Sequence, residues 1–275
     1  MQVIKRFMSV LVSIVLAFPL ILAPAHQEIT FADGYNGASL ENSVFTSIPF
    51  SRKEEEEILI DGGMPLYYDI SSRTNTCANV AGAIVMGYYD KTYDELIENF
   101  TSARVIRDKV LYAKQTQEVE NTMARLYTTM KTNITEGGTT VANFKTGLQT
   151  YINEQGRKVS YSQVIKNETL EVESYKRAIQ NNRQVVLFVS KYTLISTLAL
   201  DAETGAEEFY KQLYTGNHTV VCYGMRTIRY YDASGKLTNQ MDLLLVATGY
   251  NHSPTGYILI DDYGTLVDGY EVNVF

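Results

Sequence analysis

Thiols and imidazoles are scarce in this 275-residue chain. There are two cysteines, Cys77 and Cys222, and three histidines, His26, His218 and His252. A thiol attacks as thiolate, so it needs a lowered pKa, a base within reach and a group that orients the base. Cys77 stands where an apolar helical pattern begins, after the polar run Ser71-Ser72-Arg73-Thr74-Asn75-Thr76. A helix N-terminus brings partial positive charge and N–H groups to the sulfur, which favours thiolate. His218 lies in Gly216-Asn217-His218-Thr219-Val220-Val221, at the head of an expected strand, a rigid mount for a base. Tyr257-Ile258-Leu259-Ile260 ends in Asp261-Asp262-Tyr263-Gly264, which delivers a carboxylate at a strand terminus. Cys77, His218 and Asp261 are therefore the candidate nucleophile, base and orienting group.

Each has a rival. Cys77 and Cys222 are the two partners available for a disulfide, which would remove the nucleophile. Cys222 follows His218 by four strand residues, roughly 13 Å, so a sulfur beside His218 is poorly placed to reach it; Cys222 reads instead as a small buried hydrophobe. His252, in Gly249-Tyr250-Asn251-His252-Ser253-Pro254, is a second possible base, in a polar turn. Asp262 competes with Asp261, because adjacent strand residues point to opposite faces. Asp261, Asp262 and Asp268 miss the spacing of a calcium loop.

The elements that must hold these residues follow from periodicity. Val80, Ile84, Val85 and Tyr88 mark an apolar face on a helix from Cys77 to Tyr89, with Ala81, Gly82, Ala83 and Gly87 leaving room for close packing. Helices are expected from Tyr93 to Phe100 and from Val105 to Met130. Thr139-Thr140 caps another, carrying Val141, Phe144, Leu148 and Tyr151 on one face and stopping near Gly156. A helix from Ser174 to Gln180 precedes a buried strand from Arg183 to Val189. Short strands follow at Thr219 to Met225, Ile228 to Tyr231, Asp242 to Ala247, Tyr257 to Ile260 and Tyr270 to Phe275. Helices first and strands last predict an α+β fold.

Lys5 and Arg6 precede an apolar run from Phe7 to Ala23 ending in Ala23-Pro24-Ala25, the pattern of a signal peptide over residues 1–25. No Cys follows to carry a lipid, and no later stretch is long and apolar enough for a membrane span. Residues 26–57 lack clear periodicity and end in Arg52-Lys53 and Glu54-Glu55-Glu56-Glu57, so they read as a surface arm or short pro-segment, with the domain proper at 58–275. The chain carries 24 basic and 31 acidic residues, net −7. Losing Lys5 and Arg6 leaves 22 basic against 31 acidic and takes the mature chain to −9. Nucleic-acid binding has no electrostatic support, and two Cys are too few for a disulfide scaffold or a structural zinc site.

Thr76-Cys77-Ala78-Asn79-Val80-Ala81-Gly82-Ala83-Ile84-Val85-Met86-Gly87-Tyr88-Tyr89-Asp90 resembles the nucleophile segment of bacterial secreted papain-superfamily cysteine peptidases. The resemblance is to the bacteriocin-processing-peptidase-like group and, more distantly, to streptopain. Gly216-Asn217-His218-Thr219-Val220-Val221 resembles their Gly-x-His strand, and Ile260-Asp261-Asp262-Tyr263-Gly264 their carboxylate or amide before an aromatic-Gly pair. It spans about residues 60–275. It implies a papain-like fold, a helical half on an antiparallel sheet half, and hydrolysis of a peptide or protein substrate without metal or organic cofactor. Two departures stand out. The usual Cys-Gly-Pro start is Cys77-Ala78-Asn79, and no Gln stands shortly before Cys77 to help bind the oxyanion. Asn75, ahead of Ser71 and Ser72, is the candidate replacement donor. Alternatives are a non-catalytic secreted binding protein on the same fold and transglutaminase-like acyl transfer.

The resulting expectation is an exported cysteine peptidase with no stable membrane insertion after signal cleavage. Intact-mass analysis of secreted protein should find His26 at the N-terminus; retention of residues 1–25 would show the segment to be an anchor.

Overall fold

A helix that is apolar on every side needs neighbours on every side, and the fold is arranged around one. The computed structural model describes residues 30–31, 39–69, 73–134, 137–260 and 262–275. All 14 residues of α1 (Cys77–Asp90) are buried. Its small residues make this possible. A Cβ on Gly82 would lie 2.9 Å from Met130 Cε and 3.0 Å from Leu126 Cδ1, and one on Gly87 would lie 2.6 Å from the Tyr67 ring. Beside α1 lie α2 (Gln117–Thr129), which ends at Met130, and α3 (Val141–Glu154). α3 begins as its sequence signals: the Asn143 N–H donates to Thr140 Oγ1 at 3.1 Å. α4 (Val172–Gln180) is tied to the sheet by the Tyr175 hydroxyl, which donates to the Gly224 carbonyl at 2.7 Å.

The strands are β1 (Thr30–Phe31), β2 (Ser39–Pro49), β3 (Arg52–Leu59), β4 (Ala103–Ile106), β5 (Lys109–Tyr112), β6 (Thr139–Thr140), β7 (Val159–Gln163), β8 (Ile165–Lys166) and β9 (Thr169–Leu170). They continue with β10 (Val185–Ile195), β11 (Ala199–Leu200), β12 (Ala206–Tyr231), β13 (Leu237–Ala247), β14 (Thr255–Leu259) and β15 (Thr265–Val274). Nine of them form one antiparallel sheet, in the order β11-β12-β13-β14-β10-β15-β7, with β2 and β3 also on β12. β10 pairs with β12 as well as β14, so β10, β12, β13 and β14 close a ring of strands. The architecture is α+β, as the segregation of patterns predicts. Among the described residues no helix is long and apolar enough to cross a membrane.

Four expectations are corrected. Tyr93 to Phe100 is not a helix but turns, held by the buried Asp90 carboxylate. It accepts from the Ile97 N–H at 2.9 Å and the Ser102 N–H at 3.0 Å, and burial pushes its pKa up. The helix expected from Val105 to Met130 is instead the β4–β5 hairpin followed by α2. Arg107 and Asp108 sit at φ 50° and 62°, as in primed hairpin turns and not in a helix. The strands expected from Thr219 and Ile228 are parts of the single 26-residue β12, so His218 lies within a strand and not at its head. Finally, much of the expected 26–57 arm belongs to the sheet. β2 pairs with β12 from Pro49↔Ala206 to Ser39↔Thr215, and β3 pairs from Leu59↔Gly224 to Arg52↔Tyr231. The boundary at 57/58 falls inside β3.

The acidic run has partners that its own sequence does not reveal. Register places Glu57 opposite Arg226 and Glu54 opposite Arg229. Glu57 forms an ion pair with Arg226, and Lys53 reaches both Glu55 and Glu207 at 2.7 Å. Lys53–Glu207 is partly buried, while the pairs nearer solvent each add little; the sheet hydrogen bonds hold the segment. A chain starting at Ile58 is therefore expected to lose solubility or cooperative unfolding, since it strips two strands from β12. A soluble truncated protein with the parent's unfolding midpoint would show β2 and β3 to be dispensable.

Candidate active site

β12 changes partners in its middle. On one edge β2 ends at Ser39↔Thr215 and β13 does not begin until Ala247↔Val221. Gly216, at φ 80°, bends the strand inside that gap, a conformation that side chains resist. His218 lies two residues further on, and the chain leaving β13 at Ala247 turns past it. The His218 Nε2–H donates to the Thr248 carbonyl at 2.8 Å. A carbonyl only accepts, so Nε2 carries the proton and Nδ1 is the basic nitrogen of the neutral ring. Thr248 is itself fixed: its N–H donates to the Pro254 carbonyl at 3.1 Å, its hydroxyl to the Ser253 carbonyl at 2.5 Å, and it accepts from the Tyr250 N–H at 3.0 Å.

The same turn meets α1. A Cβ on Gly249 would lie 3.3 Å from Val80 Cγ1. Val80 is three residues after Cys77, on the same side of the helix. The thiol-bearing side of α1 and the turn that holds His218 are thereby packed together. Cys77 opens the helix. Thr76, at the N-cap position, makes no side-chain cap and donates its hydroxyl to Asp69; the first turn contains no acidic residue. The helix end brings partial positive charge to Cys77, with the Asp69 carboxylate close by at Thr76.

Around the imidazole lies a set of parallel rings. His218 stacks on Tyr250 with centroids 4.7 Å apart and planes 7° apart, and on Tyr192 at 5.5 Å and 15°. Tyr214 stacks on the same two tyrosines, at 5.0 Å on Tyr192 and 5.8 Å on Tyr250. The Tyr192 and Tyr250 hydroxyls are 2.6 Å apart. Burial, first, and then the neighbouring Tyr250, Tyr214 and Cys77 hold the Tyr192 phenol well above its ordinary pKa. These tyrosines are far apart in the sequence and share no motif with His218. Their one local signal is Thr248-Gly249-Tyr250, a turn directly after a buried strand.

The other candidates fall as follows. Cys77 and Cys222 are both buried and are not joined in a disulfide. Cys222 is fully buried on β12, and burial pushes its pKa far up. Asp261 lies outside the described residues, as do Ser71, Ser72 and residues 1–25. Asp262 is engaged elsewhere, accepting from Thr193 Oγ1 at 2.9 Å and pairing with Lys211 at 3.0 Å. Asn75, at φ 62°, donates through Nδ2 to Asn133 Oδ1 at 2.8 Å; Asn133 also accepts from the Gly138 N–H and donates to the Thr74 carbonyl. This ties the loop before Cys77 to the loop before α3. His252 is exposed and stacks on Tyr250 at 5.3 Å. His218 is only 1% exposed and Cys77 3%; mid-strand placement under the 248–254 turn buries the imidazole. A cleft of about 450 Å³, lined by Phe45, Ser196, Phe209, Tyr210 and Gln212 among others, adjoins that turn, with Ser196 Oγ 3.5 Å from Ser253 Oγ. Among the described residues no cluster of His, Cys, Asp and Glu suited to a metal ion is present.

No protein-family model and no curated protein matches the chain.

Gly249→Val tests the packing of the turn on α1. It adds atoms against Val80 at a left-handed position (φ 77°), and strain and overpacking each cost roughly 1–3 kcal/mol. Denaturant unfolding should show a loss of that order; an unchanged midpoint would separate the turn from the helix.

Proposed function

We propose that the protein is an exported cysteine peptidase of papain-like architecture, acting on peptide bonds. The observation that carries this reading is the packing of a buried helix that opens with a thiol, through Val80, against the turn whose Thr248 carbonyl selects the His218 tautomer. In the proposed reaction His218 Nδ1 takes the Cys77 proton, and the thiolate attacks the substrate carbonyl. The imidazolium then protonates the leaving amine, and water hydrolyses the acyl-enzyme with His218 as base. The N–H groups of the first turn of α1 face the tetrahedral anion. The Thr248 carbonyl orients the imidazole, a role the sequence resemblance gives to Asp261. Asn75 serves to shape the loop. Neither metal nor organic cofactor takes part in this sequence of steps.

A second reading, a non-catalytic secreted binding protein, draws on the deep burial of Cys77 and His218. A peptide carrying a thiol-directed electrophile separates the two. Labelling at Cys77, lost in His218→Gln, is the expected result. Asp261→Ala should retain far more activity than His218→Gln, because a carbonyl already holds Nε2–H. Absence of labelling at Cys77 in the parent, or equal labelling of Cys222, would favour the binding protein. Incorporation of an amine into a glutaminyl peptide would instead indicate acyl transfer.

A further inference from the structure

The cleft beside the 248–254 turn lies on the same face of the sheet as α1. Gln212 is paired in register with Leu194, which belongs to the apolar core that includes α1, so both side chains point to the helix side. Alternation puts Tyr210 and Glu208 on that side too. There they help to line a cleft of about 450 Å³. Register sets Phe45 opposite Tyr210 and Ser47 opposite Glu208. The two rings are 5.3 Å apart and tilted by 59°, and both are more than half exposed. The Ser47 hydroxyl donates to the half-buried Glu208 carboxylate at 3.4 Å. Among the described residues that line the cleft, only Glu208 is charged. The cations nearby on the opposite face are paired, Lys211 with Asp262 and Lys53 with Glu207. Two open ring faces beside a carboxylate attract a cation, through the ring quadrupole and through charge.

The cleft is continuous with the candidate active site. The Ser196 hydroxyl donates to Gln212 Oε1 at 3.4 Å and lies 3.5 Å from Ser253 Oγ, in the turn that holds His218. Along β12, Tyr214 stacks on Tyr192 at 5.0 Å, and Tyr192 on His218 at 5.5 Å. Those contacts and the four strand residues from Tyr214 back to Tyr210 put the rings of the cleft within roughly 23 Å of the imidazole. An extended peptide covers that distance in about seven residues. We propose that the cleft is a remote subsite for a lysine or arginine side chain of the peptide substrate. The side chain lies about seven residues from the bond that is cut, its cation against Phe45 and Tyr210 and paired with Glu208. This rests on the cysteine-peptidase reading above and adds to it a substrate preference.

The experiment uses the full secreted protein and a neutral peptide that it cleaves, found by digesting denatured casein. One lysine is moved stepwise away from the cut on either side, with norleucine as its uncharged counterpart. Lysine should raise kcat/KM about tenfold, with the maximum near the position that reaches the cleft. Glu208→Gln should remove most of that preference, and Tyr210→Leu part of it. Glu98→Gln, which removes the same charge from an exposed turn after α1, should leave it in place. In parallel, saturation-transfer NMR follows binding of a Gly/Ser peptide with one central lysine to Cys77→Ser. Cleavage indifferent to lysine at every position, or a preference that Glu98→Gln lowers as much as Glu208→Gln, overturns the subsite alone. No cleavage of any peptide, with lysine-peptide binding that Glu208→Gln abolishes, overturns the peptidase reading and keeps the cleft as a cation site. Neither cleavage nor binding overturns both.

Discussion

The hydrogen bond from His218 to the Thr248 carbonyl is the interaction on which the site depends, and the division of β12 makes it possible. A strand hydrogen-bonded on both edges leaves no space for a turn to approach its side chains from the flank. Between Thr215 and Val221 one edge passes from β2 to β13 with a gap, and the turn after β13 enters there. Gly216 supplies the bend. Thr248 reaches the ring with its carbonyl while its hydroxyl, N–H and following residues are tied down by Ser253, Pro254 and Tyr250. The imidazole is therefore oriented by main chain that is itself held in place, a firmer arrangement than a side chain free to change rotamer.

The second requirement is that α1 lie close to this turn. A helix bearing larger residues at 82 and 87 would stand off from Leu126, Met130 and Tyr67 and carry Cys77 away with it. Small residues thus set the depth of the helix, and depth sets the electrostatics. At its N-terminus Thr76 makes no side-chain cap, and the first turn carries no carboxylate. Thr76 donates its hydroxyl to Asp69, and Asn75 its amide to Asn133. Both contacts tie the loop before Cys77 to its neighbours.

What was legible in the sequence was local. The α1 periodicity, the Thr140 cap, the short helix before β10 and the buried run of β10 depend on neighbours three or four residues apart, or on an unbroken apolar stretch. The 105–130 segment misled because a charged two-residue turn, Arg107-Asp108, is compatible with a helical face until its φ angles are known. The 26–57 arm misled for a different reason. Its acidic run carries little apolar area, and the strand it hydrogen-bonds to, β12, lies some 170 residues away. The ring set is the extreme case. Tyr192, Tyr214, His218 and Tyr250 come from β10, from both sides of the bend in β12, and from the turn after β13. No window along the chain contains them all.

Orientation of an imidazole by a carbonyl has a chemical consequence. A carbonyl selects the Nε2–H tautomer as firmly as a carboxylate does, since neither donates. It carries no net charge, so it stabilises imidazolium less, and the ion pair with a thiolate must draw more of its stability from the sulfur side. The helix N-terminus lies on that side. In a site this deeply buried, with Cys77 and His218 almost without solvent contact, ionising the thiol is costly unless donors replace water. A neutral orienting group on the histidine would therefore leave the N–H groups at the start of α1 to carry more of the charge in the proposed ion pair.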